Sequence, residues 1–144
     1  MIVNINPSFA TSEANNYLLS LKESQSLGDV YGTISITDRG IYMHPGNTKS
    51  TSLFFKLNGK VKSLHYKLTT EFPEACKADL KAGIVGFELL TNGKSSGRVI
   101  VDKSSTLEKE VILKGIKTME FRVDNGNGTP GCDHLFVDIT SIAK

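Results

Sequence analysis

The stretch DNGNGTPGCDHLFVDITS, residues 124–141, joins a loop of turn-forming residues to a strand built for burial. Residues 125–131 are asparagine, glycine, threonine and proline, most of which favour tight turns or positive φ angles. From Leu135 onward the apolar residues are typical of a buried β-strand. Cys132, Asp133 and His134 stand at the junction and carry the most chemically capable side chains of the stretch. The pattern predicts a sheet strand that begins at a candidate binding edge.

The sequence upstream of this strand is also mostly β. From about residue 30 onward, short apolar segments alternate with glycine, asparagine and proline turns, which predicts roughly eight or nine strands. Asn58-Gly59 and Asn92-Gly93 each predict a tight hairpin, because this dipeptide suits the turns that join paired strands. The sequence therefore predicts an all-β fold, an antiparallel β-sandwich or barrel.

One helix is predicted ahead of the strands, over about residues 12–24. Ala14, Tyr17, Leu18 and Leu21 recur at the spacing of one helical face, and Ser12 or Thr11 can serve as the N-cap. The preceding residues, 1–11, are predicted to be irregular. Since 144 residues is the length of one ordinary domain, we predict that residues 12–144 form a single β-sandwich domain.

The composition excludes several classes of protein. Hydrophobic content of 39% and charged content of 22% are globular values, and a net charge of +2 is too small to indicate a nucleic-acid partner. No apolar run approaches the roughly 20 residues that span a bilayer, so membrane insertion is not expected. Residues 1–10 lack the features of a secretory signal, which predicts a cytoplasmic location. A processed or specially exported protein would instead be extracellular or periplasmic.

The order of the turns predicts two different ends of the sandwich. If consecutive strands run antiparallel, the tight turns share one end, which we name the turn end: Asn58-Gly59, Asn92-Gly93 and Gly115. The longer loops then share the opposite end, which we name the loop end: residues 45–51, 73–81, 103–106 and 125–131. Long loops at one end of a rigid sandwich commonly carry function, so the loop end is the predicted location of a site.

The candidate ligand-binding residues lie at or near the loop end. Because side chains alternate along a strand, Tyr42 and His44 share a face, whereas Asp133 and His134 point to opposite faces. One of the latter two should anchor the loop while the other faces a ligand. A carboxylate can accept two hydroxyls, and an imidazole supplies one donor or acceptor. The full set of candidates is Tyr42, His44, Asn125, Asn127, Asp133 and His134. The alternative is that Asp133 and His44 only hydrogen-bond loop backbone.

No catalytic residue is predicted. Glycoside hydrolysis normally needs two carboxyl groups facing across a cleft, and Asp133 has only Glu74 or Asp79, in a loop, as acidic partners. The sequence contains no nucleophile elbow, phosphate-binding loop or HExxH motif. No redox or organic cofactor is expected. A structural calcium ion is a weaker possibility, with oxygen ligands from Asn125, Asn127 and Asp133.

The two cysteines, Cys76 and Cys132, have three possible states. Unpaired thiols are the default in a reducing compartment. In an oxidising compartment the two could form a disulfide across the loop end. They could also join His44 and His134 in a zinc site, although the spacing from Cys132 to His134 is poor for a zinc motif.

Several segments, in order along the chain, resemble the NPCBM family, the novel putative carbohydrate-binding module. GIYMHPG (residues 40–46) resembles its glycine-x-x-x-histidine motif, and YLLSL (residues 17–21) is similar to its opening segment. VGFELLTNGK (residues 85–94), DNGNG (residues 124–128) and CDH (residues 132–134) are similar to its later strand, last loop and closing strand. The resemblance implies a galactose-binding-like, jelly-roll β-sandwich. It also implies a non-catalytic glycan-recognition module of the kind appended to secreted glycoside hydrolases.

The chain has no tryptophan, so any ring that stacks on a sugar must come from another aromatic residue. Tyr42 is the best candidate because of its position near His44. The other strand aromatics are expected mostly in the core: Tyr31, Phe54, Phe55, Tyr66, Phe87, Phe121 and Phe136. We therefore expect a module that binds a small glycan through loop-end residues. The alternative is a protein-interaction or assembly module, such as an accessory or phage-type structural protein, with a possible homodimer.

Overall fold

In the part of the chain that the structure describes, the fold consists of two five-stranded antiparallel sheets and one preceding helix. The computed structural model describes residues 12–78, 80–102, 105–129 and 132–144. The predicted antiparallel β-sandwich is confirmed. Its elements are α1 (Glu13–Ser20), β1 (Lys22–Ser26), β2 (Thr33–Thr37), β3 (Gly40–His44), β4 (Thr51–Lys56), β5 (Ser63–Glu71), a 3-10 turn (Glu74–Cys76), β6 (Val85–Thr91), β7 (Lys94–Val101), β8 (Thr106–Ile112), β9 (Thr118–Asp124) and β10 (His134–Ala143).

The two sheets pack face to face and enclose one hydrophobic core. Sheet A has the strand order β2-β3-β10-β5-β8, and sheet B has the order β1-β4-β9-β6-β7. In β10, Leu135, Val137 and Ile139 are buried in the core, while His134 and Asp138 lie on the outer face of sheet A. The strand predicted after Cys132 is therefore β10, a central strand of sheet A.

The helix is shorter than predicted. Ser12 is the N-cap, as expected, and its Oγ accepts a hydrogen bond from the Asn15 amide at 3.2 Å. The helix ends at Ser20, so the predicted end at residue 24 is wrong. Residues 22–26 instead form β1, an all-polar edge strand that gains its hydrogen bonds by pairing with β4. Among the described residues, no helix has both the length and the apolar character needed to cross a membrane. The predicted irregular segment 1–11 lies outside the described residues.

The hairpin predicted at Asn58-Gly59 is wrong. Both residues have the positive φ angles of a tight turn, but β4 belongs to sheet B and β5 to sheet A. Leu57 and Val61, on either side of the turn, are fully buried and hold the chain as it crosses between the sheets. The second prediction, at Asn92-Gly93, is confirmed, because β6 and β7 pair directly across that turn.

The predicted division into a turn end and a loop end is confirmed for the described residues. At the turn end, the Gly59 amide donates to the Ile116 carbonyl at 3.1 Å, and the Asn92 amide donates to Thr118 at 2.9 Å. At the loop end, the Thr129 amide donates to the carbonyl of Lys81 at 3.1 Å. The antiparallel order of consecutive strands therefore brings the long loops together, as the sequence predicted.

Three of the aromatic residues expected in the core lie elsewhere. Tyr31 is 59% exposed because it lies in the turn that precedes β2. Phe54 is half-buried on the outer face of sheet B, since its neighbours Leu53 and Phe55 point inward. Phe136 is buried, but on the outer face of sheet A beside half-buried Tyr42. The other aromatics expected in the core are buried there: Phe55, Tyr66, Phe87 and Phe121.

Candidate functional site

Three of the predicted site residues meet on the outer face of sheet A, at its loop end. Tyr42 and His44 come from β3, and His134 is the first residue of the neighbouring β10. The ring of His134 lies 5.8 Å from that of Tyr42, at an interplanar angle of 26°, and 5.6 Å from that of His44. All three side chains are partly exposed. They form a small surface of rings, which we name the ring cluster.

A short hydrogen bond fixes the relative positions of Tyr42 and His134. The Tyr42 hydroxyl lies 2.6 Å from Nδ1 of His134. Burial, with a contribution from the Glu71 carboxylate, raises the pKa of Tyr42 to about 12, so the hydroxyl keeps its proton at neutral pH. It can therefore donate to Nδ1 when the proton of His134 is on Nε2. Burial also holds the pKa of His134 below its ordinary value, against the opposing effect of Glu71.

Protein stability should fall on mild acidification because of His134. Since the pKa of His134 is lower in the folded than in the unfolded state, the unfolded state takes up the proton first. The stabilisation is fully present above the unfolded pKa and is lost as the pH falls through the folded pKa. Urea unfolding between about pH 7.5 and about pH 5.5 should show this loss. His134→Gln should reduce the pH dependence relative to wild type, and an identical pH dependence in the variant would contradict the assignment.

Sequence reasoning missed three residues that border the ring cluster: Arg39, Glu71 and Phe136. Glu71 is the register partner of His134 on β5, and Phe136 is the partner of Tyr42 on β10. The Arg39 guanidinium lies over the Phe136 ring at 4.0 Å and forms a 2.9 Å ion pair with Glu71. Both charged side chains are about half exposed, at 46% and 50%. They add donors and an acceptor beside the rings.

The outer face of sheet A continues from these residues into a cleft of about 260 Å³. Arg39, Lys67, Thr69 and Asp138 line it. Buried Asn15 holds the Asp138 side chain in place, because its Nδ2 donates a hydrogen bond to Oδ1 of Asp138 at 2.9 Å. The cleft therefore offers cationic, hydroxyl and carboxylate groups next to an aromatic surface.

Asp133 does not share this surface. It is fully buried, whereas adjacent His134 is partly exposed, as strand alternation predicted for these two neighbours. His44 has a structural contact as well, since its Nδ1 accepts a hydrogen bond from the Gly46 amide at 3.1 Å. This contact matches the alternative that His44 supports loop backbone.

Asn125 and Asn127 occupy the neighbouring loop. Nδ2 of Asn125 donates to the carbonyl of Asn47 at 2.7 Å, which ties the loop of residues 125–129 to that of residues 45–50. The Asn47 amide in turn donates to Oδ2 of Asp29 at 2.8 Å. Asn127 is exposed and has a φ angle of 69°. Asn125 thus connects two loops, and Asn127 lies at the solvent. The calcium site proposed for these residues with Asp133 stays a prediction.

Cys76 and Cys132 form a disulfide. Their Cα atoms lie 6.4 Å apart, within the normal range for such a bond. The default expectation of unpaired thiols, and the zinc alternative that required free thiolates, are therefore wrong for this structure. The sequence could not decide between these states because the cysteines lie in separate loops, and only the fold brings those loops together. The bond fixes the position of Cys132, two residues before His134.

The described residues form an antiparallel sandwich of two five-stranded sheets, and this fold was compared with those of known proteins. A scan of known protein families found no matching family model, and no curated protein matches the sequence. Solved structures do match. CBM51 from Clostridium perfringens GH95, in complex with methyl-galactose, has a TM-score of 0.65 and 14% identity, over 85% of this chain and 94% of that chain.

Two further structures match over 85% of this chain. CBM51-2 in complex with GlcNAc, with INT domains, from Clostridium perfringens ZmpB has a TM-score of 0.60 at 13% identity. The tandem CBM51 modules of Sp3GH98, a family 98 glycoside hydrolase from Streptococcus pneumoniae, have a TM-score of 0.59 at 11% identity. This chain spans 30% and 46% of those two chains. At such identities the likeness shows a shared fold.

Proposed function

We propose that this protein is a non-catalytic carbohydrate-binding module, of the NPCBM type that its sequence motifs resemble, and that it recognises a small glycan. Its fold is shared with modules whose structures were solved with methyl-galactose and with GlcNAc. Because a fold alone does not define a ligand, the proposal depends on the chemistry of the outer face of sheet A.

The ring cluster beside the Arg39–Glu71 ion pair is the observation that carries the proposal. Tyr42 and His134 present nearly parallel rings, on which the apolar face of a sugar ring can pack. Arg39 and Glu71, both half exposed, can donate to and accept from sugar hydroxyls at the edge of those rings. An apolar surface with a few convergent polar groups is the usual form of a small-ligand site.

The dimensions of the site favour one or two sugar residues and weak binding. The adjoining cleft of about 260 Å³ is smaller than most pockets for drug-sized ligands. The rings are only partly exposed, so a sugar would bury little apolar surface and would leave much of the site hydrated. We expect dissociation constants in the micromolar to millimolar range.

Two observations support a binding role without catalysis and a location outside the cytoplasm. Asp133, the carboxylate considered first for catalysis, is fully buried and cannot face a substrate on the sheet surface. The disulfide between Cys76 and Cys132 suits an oxidising compartment. We therefore favour the extracellular or periplasmic alternative over the cytoplasmic location predicted from residues 1–10.

Titration with simple sugars tests the proposal. We expect methyl-galactoside, GlcNAc or another monosaccharide to shift backbone amide NMR signals around Tyr42 and His134. Tyr42→Ala and His134→Ala should each weaken binding roughly tenfold, because each removes a ring from the stacking surface. His65→Ala is the matched control: His65 lies on the same sheet face, but pairs with Glu110 of β8 near the turn end. The affinity of His65→Ala for sugars should match that of wild type.

Two results would contradict the proposal. One is the absence of any signal shift with a broad panel of monosaccharides at tens of millimolar. The other is unchanged affinity in both Tyr42→Ala and His134→Ala, with circular dichroism showing that the variants remain folded.

A further inference from the structure

A second cleft lies on the opposite side of the sandwich, on the outer face of sheet B near the turn end. Its volume is about 280 Å³, and the residues that line it include Glu23, Ser24, Phe54, Leu90, Thr118 and Glu120. Phe54 of β4 and Leu90 of β6 are both register partners of Glu120, on β9 between them. Cross-strand partners on one face stand side by side, so these three side chains form a continuous floor.

Phe54 makes this floor unusual for an outer sheet face. Its sequence neighbour Phe55 is 1% exposed in the core, whereas Phe54 is half-buried on the side away from it. Leu90, at 7% exposure, extends the apolar surface on the other side of Glu120. An aromatic ring with an aliphatic neighbour can receive the apolar face of a sugar ring.

Glu120 is held in a fixed orientation within the floor. Its Oε2 accepts hydrogen bonds from Ser52 Oγ at 2.7 Å and from Arg122 Nε at 3.0 Å. Its side chain is only 12% exposed. Arg122 offsets part of its charge, and the carboxylate can accept hydrogen bonds from the hydroxyls of a neutral ligand.

The other polar groups that line the cleft are also suited to hydrogen bonds with a neutral ligand. Among the described lining residues, the charged groups are both carboxylates, those of Glu23 and Glu120, and hydroxyls come from Ser24 and Thr118. These groups are mainly acceptors, or small groups that can both donate and accept, which suits a ring rich in hydroxyls. An anionic ligand is disfavoured by the two carboxylates.

We infer that this cleft is a second binding site for a neutral sugar residue, whose ring packs on Phe54 and Leu90 while its hydroxyls donate to Glu120. The inference rests on the proposed function, since it assigns a second point of contact with the same class of ligand. The two sites lie on the outer faces of opposite sheets, and so would bind separate sugar residues. A branched or surface-bound glycan could occupy both, which would raise the overall affinity.

Amide NMR titration with monosaccharides can follow the two sites separately. We expect shifts at Ser24, Phe54 and Thr118 that persist in Tyr42→Ala. Phe54→Ala and Glu120→Gln should each weaken binding at this cleft roughly tenfold and leave the shifts around Tyr42 unchanged. Glu88→Gln is the matched control for Glu120→Gln. Glu88 also pairs with Arg122, at 3.4 Å, but does not line the cleft, so this change should leave binding intact.

The outcomes separate this inference from the proposed function. Shifts confined to the ring cluster would overturn the second site and leave the proposed function standing. Shifts confined to the sheet B cleft would support the second site and overturn the assignment of the first. Equal weakening by Glu88→Gln and Glu120→Gln would overturn the role of Glu120. No shift at either site would overturn both proposals.

Discussion

Replacing both Cys76 and Cys132 by alanine should lower the free energy of unfolding by about 4 kcal/mol, because the bond closes a long loop in the unfolded chain. The sequence separation of the two cysteines is 56 residues, and a loop of that length loses considerable conformational entropy when it is closed. The corresponding fall in melting temperature is on the order of 10 °C. Urea unfolding monitored by circular dichroism measures the change directly.

Reduction of the wild-type protein provides the matched control for this prediction. A thiol reductant should lower the stability of wild type to about that of the double variant and should leave the variant unchanged. A wild-type urea midpoint that is insensitive to reductant, together with a double variant of wild-type stability, would contradict the prediction. Because Cys132 lies two residues before His134, loss of the bond should also weaken sugar binding at the ring cluster.

Phe121→Ala should destabilise the protein by about 3–5 kcal/mol, the usual cost of removing a buried aromatic ring. Phe121 is fully buried, and its ring lies 5.0 Å from that of Phe55 and 5.6 Å from that of Phe87. It also faces Tyr66 of the opposite sheet, at 6.5 Å. Truncation would therefore leave a cavity where the two sheets meet, and chemical denaturation would measure its cost.

Phe121→Leu separates the cavity from the loss of the aromatic ring itself. Leucine keeps most of the apolar volume, so this variant should lose less than about 1.5 kcal/mol. Equal losses in the two variants would show that ring geometry, and not cavity volume, sets the cost. A loss below about 1 kcal/mol in Phe121→Ala would contradict the central position of this residue in the core.

The two Asn-Gly pairs show how far the sequence predicts the fold. At both sites the dipeptide correctly predicts a tight turn with positive φ angles, since that conformation is a local property. Whether the flanking strands then pair is not local. After Asn92-Gly93 they do, but buried Leu57 and Val61 direct the chain from one sheet to the other around Asn58-Gly59. The all-polar strand β1 was missed because it has no apolar pattern. It is a strand only because it pairs with β4, which is also not a local property.

The sequence predicted the candidate site only through the alternation of side chains along each strand and the antiparallel order of the strands. Tyr42 and His44 were found because residues two apart share a strand face, and strand alternation separated Asp133 from His134. Arg39 and Glu71 were missed because their positions depend on the register of β3, β10 and β5, which is long-range information. The disulfide was left open for the same reason.

The central position of β10 in sheet A has a consequence for the order of folding. Its neighbours β3 and β5 precede it in the chain. In the described sheet, β3 and β5 are connected to each other only through β10. Tyr42 and His134 are separated by 92 residues, so the ring cluster depends on a contact between distant parts of the chain. Such contacts form slowly because a large loop must close before they can be made. During synthesis, the edges of β3 and β5 that pair with β10 therefore stay unpaired until β10 has been made. The candidate site is completed only when that strand inserts between them.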